Sequence, residues 1–570
     1  LRRCRALNTA DRTAFYDGLE HVVLGIRAWM STNIAEAQRS AETEPDGDLR
    51  ANLLDVAAMN ERLLADPPAT FREACQWIGW FDMAARMYNG SGSLGRLDTL
   101  LRPYYERETA AGTLDDEEAI FHLACLLLMD TAYMQLGGYD PQGRDATNPV
   151  SYLVLEAAHR LRIPANVAVC VGEGLDPGLL RRGVEIMFAD RTGVPKFLGS
   201  DAFIAGFARN GYPLELARER AYSGCHWCAL PGREYTLNDC VKVSLASVFV
   251  ASWEDLLASG EPGVRRLWSL FEAHLRRAIE VLAEGLDFHM AHMHEVFPEL
   301  VMDLLCHTTL EQGLDASNGG VEFVDLCVDA AGLATVADSL GALEQRVEEE
   351  GLLTWDALAR HLEADWAGPE GERARRLMRN APRYGHGGTA ADAWAVRVSR
   401  LFTAVVKERP TPAGYNMIPG LFSWAANLAM GAGLPATPNG RRAGEAISHG
   451  ANPDPGFRKD GAPTALASAI ASVQPGWGNS APMQIELDPG LCSTEEGVAN
   501  VVSLIRTHMQ LGGTQINLNV LDAEKLKAAH ADPSLYPDLV VRLTGFSVYF
   551  ASLAPEFRQM LVDRLLAAQS

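Results

Sequence analysis

A long uninterrupted apolar run is missing from the sequence. The most apolar candidate, Val241 to Trp253, is short and contains Lys242 and three serines, so no membrane-spanning helix is predicted. Basic residues are also in the minority, since 50 Lys and Arg stand against 73 Asp and Glu, a formal net charge of −23. This balance argues against binding to the phosphate backbone of nucleic acid or to an anionic membrane surface.

Cysteine is scarce as well. Ten cysteines in 570 residues are too few for a disulfide scaffold, and most of them have apolar neighbours. We therefore expect reduced thiols and a cytoplasmic protein. The sequence shows no signal peptide and starts at Leu1 instead of Met, which predicts a fragment whose N-terminal part is missing.

The residues that are present are typical of a soluble globular protein, with 48% hydrophobic and 22% charged residues. Apolar spacing predicts a helix over 264–286, two helices within 353–378 and a closing helix over 554–568. After Lys407 the chain becomes dense in Gly, Pro, Asn and Asp, which is typical of long loops that are functional or disordered. Alternation over 514–520 predicts a strand with one buried apolar face.

The segment from Tyr222 to Gly232 is the first that carries residues suited to chemistry. Gly224 precedes Cys225, and Pro231-Gly232 follows it, so a tight loop is predicted. A thiol at the tip of a loop can be presented into a cavity. The alternative is that Cys225 and Cys228 are simply buried or redox-active thiols.

The second such segment runs from Val541 to Phe550. Gly545 interrupts a run of β-branched and aromatic residues there. A glycine in that setting marks a bulge or the close approach of another backbone.

These residues together resemble the pyruvate formate-lyase family. Arg542-Leu-Thr-Gly545-Phe-Ser-Val-Tyr-Phe550 is similar to its glycine radical signature, and the run from Gly512 to Val520 is similar to the segment before it. The run from Ala436 to Glu445 resembles the loop ahead of the glycyl radical domain, and Gly224-Cys225 resembles the start of the thiyl loop. The resemblance extends from about Phe71 to the C-terminus.

The resemblance implies a fold: a ten-stranded α/β barrel of two half-barrels, surrounded by helices, with inward cysteine and glycine loops that meet. It implies a catalytic domain over 1–435, lacking its N-terminal part, and a glycine radical domain over 436–570. Gly545 would store a radical on its α-carbon, where planarity requires a residue without a side chain. Cys225 would then form the thiyl radical that starts the reaction.

The resemblance also implies partners. A separate activating enzyme would install the radical, using S-adenosylmethionine and an iron–sulfur cluster. No tightly bound cofactor and no metal are expected in this chain. The family further implies an anaerobic enzyme, a homodimer and a small-molecule substrate.

The sequence departs from the family in two ways. Members that eliminate water or an amine carry a Glu two residues after the loop cysteine, which serves as a general base, whereas this chain has Trp227 there. The paired cysteines of pyruvate formate-lyase itself are absent, because Gly224 precedes Cys225. We therefore expect cleavage, of the lyase or decarboxylase type, of a small organic carboxylate, including an aromatic one since Trp227 makes the cavity apolar. The candidates for a base or a second relay, with loop packing as the alternative, are His226, Cys228 and Glu234.

Other functions remain open at this point. Within the family, the alternatives are a radical dehydratase and an enzyme that forms C–C bonds. Outside it, the protein could be a catalytically inactive scaffold or a metal-binding protein. Two groups suggest a metal: Cys225 and Cys228 with Cys240, and the set His289, His292, His294 and Glu295, for which surface exposure is the simpler interpretation.

Overall fold

The computed structural model describes residues 1–8, 11–86, 92–130, 132–237, 241–454 and 463–569. They form an α/β structure rich in helices. The helices are α1 Arg2–Leu7, α2 Thr13–Thr43, α3 Gly47–Leu63, α4 Phe71–Arg86, α5 Leu97–Ala111, α6 Asp116–Met129, α7 Pro149–Leu161, α8 Pro177–Asp190, α9 Ser200–Arg209, α10 Leu214–Glu219, α11 Leu245–Ser259, α12 Val264–Val296, α13 Leu300–Asp303, α14 Thr309–Gln312, α15 Leu333–Ala342, α16 Trp355–Glu363, α17 Gly368–Arg379, α18 Ala390–Lys407, α19 Asn427–Ala432, α20 Pro463–Ser472, α21 Glu495–Gln510, α22 Ala523–Ala531 and α23 Pro555–Gln569. The strands are β1 Tyr133–Leu136, β2 Asn166–Val171, β3 Lys196–Gly199, β4 Ala221–Ser223, β5 Trp227–Ala229, β6 Glu234–Leu237, β7 Lys242–Ser244, β8 Phe323–Ala331, β9 Asn416–Gly420, β10 Met483–Leu487, β11 Gln515–Val520, β12 Val540–Arg542 and β13 Ser547–Tyr549.

Two sheets form the centre of the fold. The first has the order β1-β2-β3-β11-β10, in which all neighbours run parallel except β3 and β11. In the second, β8 pairs in parallel with β6, β7 and β9. The α/β class is therefore confirmed, but within the described ranges no strand pairing joins the five-stranded sheet to the four-stranded one.

Local sequence signals explain how the strands of the first sheet are connected. β2 is buried at every position, as expected of a parallel strand covered by helices on both faces. The preceding helix, α7, begins at Pro149 behind a capping box in which Asn148 and Ser151 satisfy each other's backbone. It returns the chain so that β2 can pair in parallel with β1.

Most of the predicted elements are present. The helix predicted over 264–286 is α12, the pair within 353–378 is α16 and α17, and the closing helix is α23. α12 continues to Val296, beyond the predicted end. The apolar pattern gave too early an end because residues such as Phe288, which is 70% exposed, break the periodicity there. In β11 both faces are buried, where the prediction gave only one.

None of the helices in the described residues has the length and apolarity that a membrane span requires.

A close backbone approach packs α9 against the loop that precedes β10, and this gives a first prediction. A Cβ placed on Gly206 would lie 2.0 Å from the backbone nitrogen of Gly478. Gly206→Ala should therefore lower stability by about 1–3 kcal/mol, because neither backbone can yield cheaply. The midpoint of thermal unfolding measures the effect.

Gly25→Ala is the matched control. Gly25 lies in α2 with nothing within 4 Å of the added carbon, so alanine there should raise stability by up to about 1 kcal/mol. Equal midpoints for the two variants would contradict the close contact at Gly206.

Candidate active site

The predicted cysteine loop is the tip of a hairpin. β4 and β5 pair antiparallel, and the turn between them contains Gly224, Cys225 and His226. Gly224 adopts φ +64°, a left-handed conformation that favours glycine, so the turn depends on it. Cys225 is buried, and its Sγ lies 2.9 Å from the hydroxyl of Tyr133.

The predicted glycine loop is the tip of a second hairpin, formed by β12 and β13. Gly545 is buried at this tip. A Cβ placed on it would lie 2.7 Å from both the Cβ and the carbonyl oxygen of Cys225. The structure therefore brings the two loops into direct contact. Of the aromatic neighbours expected to enclose Gly545, Phe550 is buried, whereas Phe546 and Tyr549 are only half-buried.

Amide side chains of β11 hold both loops. Gln515 Nε2 donates to the Cys225 carbonyl at 3.0 Å, and Asn517 Nδ2 donates to the Thr544 carbonyl at 2.9 Å. Asn519 exchanges two 2.7 Å hydrogen bonds with the backbone of Arg542. These three residues alternate along the strand and so share one face. Sequence reasoning predicted the opposite, apolar face of β11 and missed this one, although polar residues alternating in a buried strand were a visible signal.

Two cationic side chains donate to the carbonyl oxygen of Gly545. Lys196 Nζ lies 2.9 Å away and Arg542 Nη1 lies 3.1 Å away. Both side chains are fully buried. Burial lowers the pKa of Arg542 to about 10, which still leaves it charged near neutrality.

His226 forms a buried pair with an acid from the second sheet. Its Nε2 lies 2.9 Å from Asp329, and Lys242 Nζ lies 2.7 Å from the same carboxylate. Phe422 stacks on the imidazole at a ring distance of 4.1 Å. Burial raises the pKa of Asp329, but the charges of His226 and Lys242 outweigh it and hold the pKa well below its usual range.

The other candidate residues near Cys225 make separate contacts. Trp227 is fully buried and packs edge-on against Phe207 at a ring distance of 5.7 Å. Burial raises the pKa of the Cys228 thiol, which disfavours its thiolate. Glu234 forms a buried ion pair with Arg220 at 2.9 Å. Burial raises the pKa of Glu234 to about 8 even though Arg220 opposes that change.

One group of side chains has spacing suited to a metal. The ligand atoms of His226, Cys327 and Asp329 all lie within 4.8 Å of one another. However, Asn479 Nδ2 donates to Cys327 Sγ at 3.0 Å and to Asp329 at 2.9 Å, and the Lys242 ammonium lies beside the same carboxylate. Donors and a positive charge already engage the lone pairs that a cation would need, so the donor set fits a hydrogen-bonded His–Asp pair better than a metal centre.

The metal groups predicted from sequence gain no support. Cys240 lies outside the described residues. His289, His292 and Glu295 are exposed on α12, which agrees with the simpler interpretation of surface residues.

Comparison with known families agrees with this geometry. The family model described as pyruvate formate lyase-like matches residues 2–431, and the glycine radical model matches residues 447–551.

The curated relatives are enzymes. Trans-4-hydroxy-L-proline dehydratase of Clostridioides difficile is 25% identical, over 93% of this chain and 72% of the relative. Isethionate sulfite-lyase of Desulfovibrio desulfuricans is 26% identical (98% and 72%), and indoleacetate decarboxylase of Tractidigestivibacter scatoligenes is 24% identical (98% and 70%).

Solved structures share the fold. The B12-independent glycerol dehydratase from Clostridium butyricum superposes with a TM-score of 0.90 at 23% identity, covering 99% of this chain and 76% of that one. A glycyl radical enzyme from Archaeoglobus fulgidus superposes with a TM-score of 0.88 at 24% identity, covering 99% and 77%. Since the first family model covers more than half of the chain and the second covers most of its C-terminal part, the chain belongs to the pyruvate formate lyase-like family of glycyl radical enzymes, a family of radical lyases whose radical is carried by the protein itself.

Proposed function

We propose that Gly545 stores the radical and that Cys225 relays it to the substrate. The contact between the two residues is the observation that carries this proposal, since a Cβ on Gly545 would lie 2.7 Å from the Cβ of Cys225. In the first step the Gly545 α-carbon radical takes the hydrogen atom of the Cys225 S–H bond. One C–H bond forms, one S–H bond breaks, and a thiyl radical is left on Cys225.

The thiyl radical then takes a hydrogen atom from the substrate. The substrate radical breaks a neighbouring bond, and the product radical recovers the hydrogen atom from Cys225. The thiyl finally regains a hydrogen atom from Gly545, which restores the stored radical. Close packing around both loops excludes water and other quenchers.

A separate enzyme has to create the radical. Glycyl radical enzymes are generally activated by a partner, and we infer a partner that uses S-adenosylmethionine and an iron–sulfur cluster. Gly545 is buried against Cys225. The β12–β13 hairpin must therefore move away from the β4–β5 hairpin before a second protein can reach the α-carbon.

The substrate we propose is a small organic carboxylate, including an aromatic one. Trp227 packs against Phe207 and Phe422 stacks on His226, so each of the two residues that follow Cys225 contacts an aromatic ring, against which an apolar substrate would bind. Trp227 Nε1 is a buried donor for which the described residues supply no acceptor. A carboxylate or hydroxyl oxygen of a substrate would satisfy it.

His226 is the proton-transfer group we propose, with Asp329 holding its ring. The pair lies directly beside Cys225 in the hairpin tip, and it supplies what the missing Glu at position 227 would have supplied. This observation also supports a second candidate function, the radical elimination of water that some relatives carry out. We further propose a homodimer, as the family resemblance implies, and a cytoplasmic enzyme, as the few scattered cysteines indicate.

Electron paramagnetic resonance tests the radical. After anaerobic treatment with an activating enzyme, S-adenosylmethionine and reductant, the protein should give a doublet from one α-hydrogen. Glycine deuterated at the α-carbon should collapse that doublet, and Gly545→Ala should abolish it, while Gly25→Ala keeps it. Cys225→Ser should keep the doublet and lose turnover, because a serine O–H bond is too strong for the exchange.

Cys228→Ser is the matched control for the relay. It should retain both the doublet and turnover. Turnover by Cys225→Ser, or a loss of turnover in Cys228→Ser alone, would show that Cys225 is not the relay. A folded wild-type protein that never gives a doublet would end the proposal.

Substitutions at the His–Asp pair give a further prediction. His226→Gln and Asp329→Asn should lower turnover about 100-fold while leaving the doublet intact, because proton transfer and radical storage are separate functions. The assay uses the best substrate from a panel containing indoleacetate, trans-4-hydroxy-L-proline and isethionate. His289→Gln, on the exposed face of α12, is the control. Equal rates for His226→Gln and His289→Gln would rule out the proton-transfer role.

A further inference from the structure

Lys196 is an ammonium group buried between the two loops. It lies on β3 and is fully buried among members of an apolar cluster that includes Tyr133, Leu198 and Tyr222. Burying a charge costs free energy unless polar contacts compensate it. An aliphatic residue would fill the same position at less cost, so the charge calls for an explanation.

The contacts of this ammonium connect both loops. Lys196 Nζ donates to the Gly545 carbonyl at 2.9 Å and lies 3.4 Å from the Cys225 carbonyl. It is also hydrogen-bonded to the Tyr222 hydroxyl and lies 3.7 Å from the centre of that ring. The ring of Tyr133 lies 4.9 Å away. The charge is thus held by oxygens and aromatic faces at the point where the two hairpins meet.

The Gly545 carbonyl receives a second charged donor, since Arg542 Nη1 lies 3.1 Å from the same oxygen. Charge-assisted hydrogen bonds are about twice as strong as neutral ones. A radical on the Gly545 α-carbon is delocalised by electron withdrawal into this carbonyl. Positive charge at the oxygen increases that withdrawal, and the buried setting strengthens the effect.

The same charges have little effect on a thiyl radical. The sulfur of Cys225 is separated from the Cys225 carbonyl by saturated carbons, so its spin does not spread onto that oxygen. Lys196 therefore distinguishes between the two ends of the hydrogen-atom exchange.

We propose that Lys196 sets the equilibrium of the hydrogen-atom exchange. By donating to the Gly545 carbonyl, it stabilises the resting radical on Gly545 relative to the thiyl radical on Cys225. This inference rests on the proposed radical site. Lys196 is in this view a positioning and tuning residue, because it acts through Gly545 and not on the substrate. The competing explanation is that Lys196 only holds the loops together, and the spectrum of the radical separates the two.

The experiment compares Lys196→Met, Lys196→Arg and Lys407→Met in the full-length activated protein. Removing the donor leaves more spin on the α-carbon, so Lys196→Met should show a larger α-hydrogen splitting than the wild type. It should also hold about three- to tenfold less radical per chain. Lys196→Arg restores the charge and should recover most of both values. Lys407 is another largely buried lysine, hydrogen-bonded to Asn210 and Asn416, and its methionine variant should match the wild type.

A measurement on the unaltered sequence covers the case in which Lys196→Met does not fold. Protein labelled with ¹⁵N-lysine should show a ¹⁵N coupling to the glycyl radical in pulsed electron–nuclear double resonance. Lys196→Met with wild-type splitting and yield, or the absence of that ¹⁵N coupling, would overturn the tuning role while the wild-type doublet still upholds the radical site. The absence of any wild-type doublet would overturn both proposals.

Discussion

Gly545 and Cys225 touch at the tips of two hairpins, and their contact leaves no room for a side chain at position 545. A hydrogen atom can pass between two such residues only if neither hairpin drifts, because the exchange falls off steeply with distance. Both hairpins must therefore be held by something more rigid than their own short ladders. β11 provides this support, since it lies between β3 and β10 within the first sheet and has both faces buried. The placement of the site thus depends on a central strand more than on the loops themselves.

Supporting the two hairpins requires β11 to bury polar side chains, and burying them has a cost in free energy. Three amide side chains are buried in a strand whose other face is fully apolar. An unpaired buried amide would cost about 1–3 kcal/mol, but Gln515, Asn517 and Asn519 each donate to a loop carbonyl. Hydrogen-bonded amides of this kind add little net stability and much specificity, because a shifted hairpin would leave several donors unpaired at once. On this face of β11, amide side chains therefore take the place of apolar core residues, and they hold the loops in a single geometry.

Sequence reasoning reached the residues whose chemistry is local. Gly545 and Cys225 sit in short motifs that carry their own turn signals, and α12 and β11 follow from apolar periodicity. Contacts between segments that are distant in the chain could not be predicted from the sequence. The pairing of β7 with β8 places Lys242 beside Asp329, and His226 reaches the same carboxylate from the tip of the β4–β5 hairpin. Nothing in the run around Lys196 distinguishes a buried lysine from an exposed one. Trp227 packs on Phe207, a contact that only the placement of α9 could reveal.

The departure of this chain from its relatives can be understood through the geometry of the cysteine hairpin. Adjacent residues leaving a hairpin tip project to opposite sides. Trp227 projects toward Phe207, whereas His226 projects toward Asp329 and Phe422. A Glu two residues after the cysteine would approach a substrate from the Phe207 side. His226, for which we propose the proton-transfer role, lies one residue earlier and on the β8 side, where Lys242 also lies. The substrate would then have to present its acidic proton toward the second sheet and its apolar part toward Trp227, which is the opposite orientation to the one that a Glu at position 227 would select.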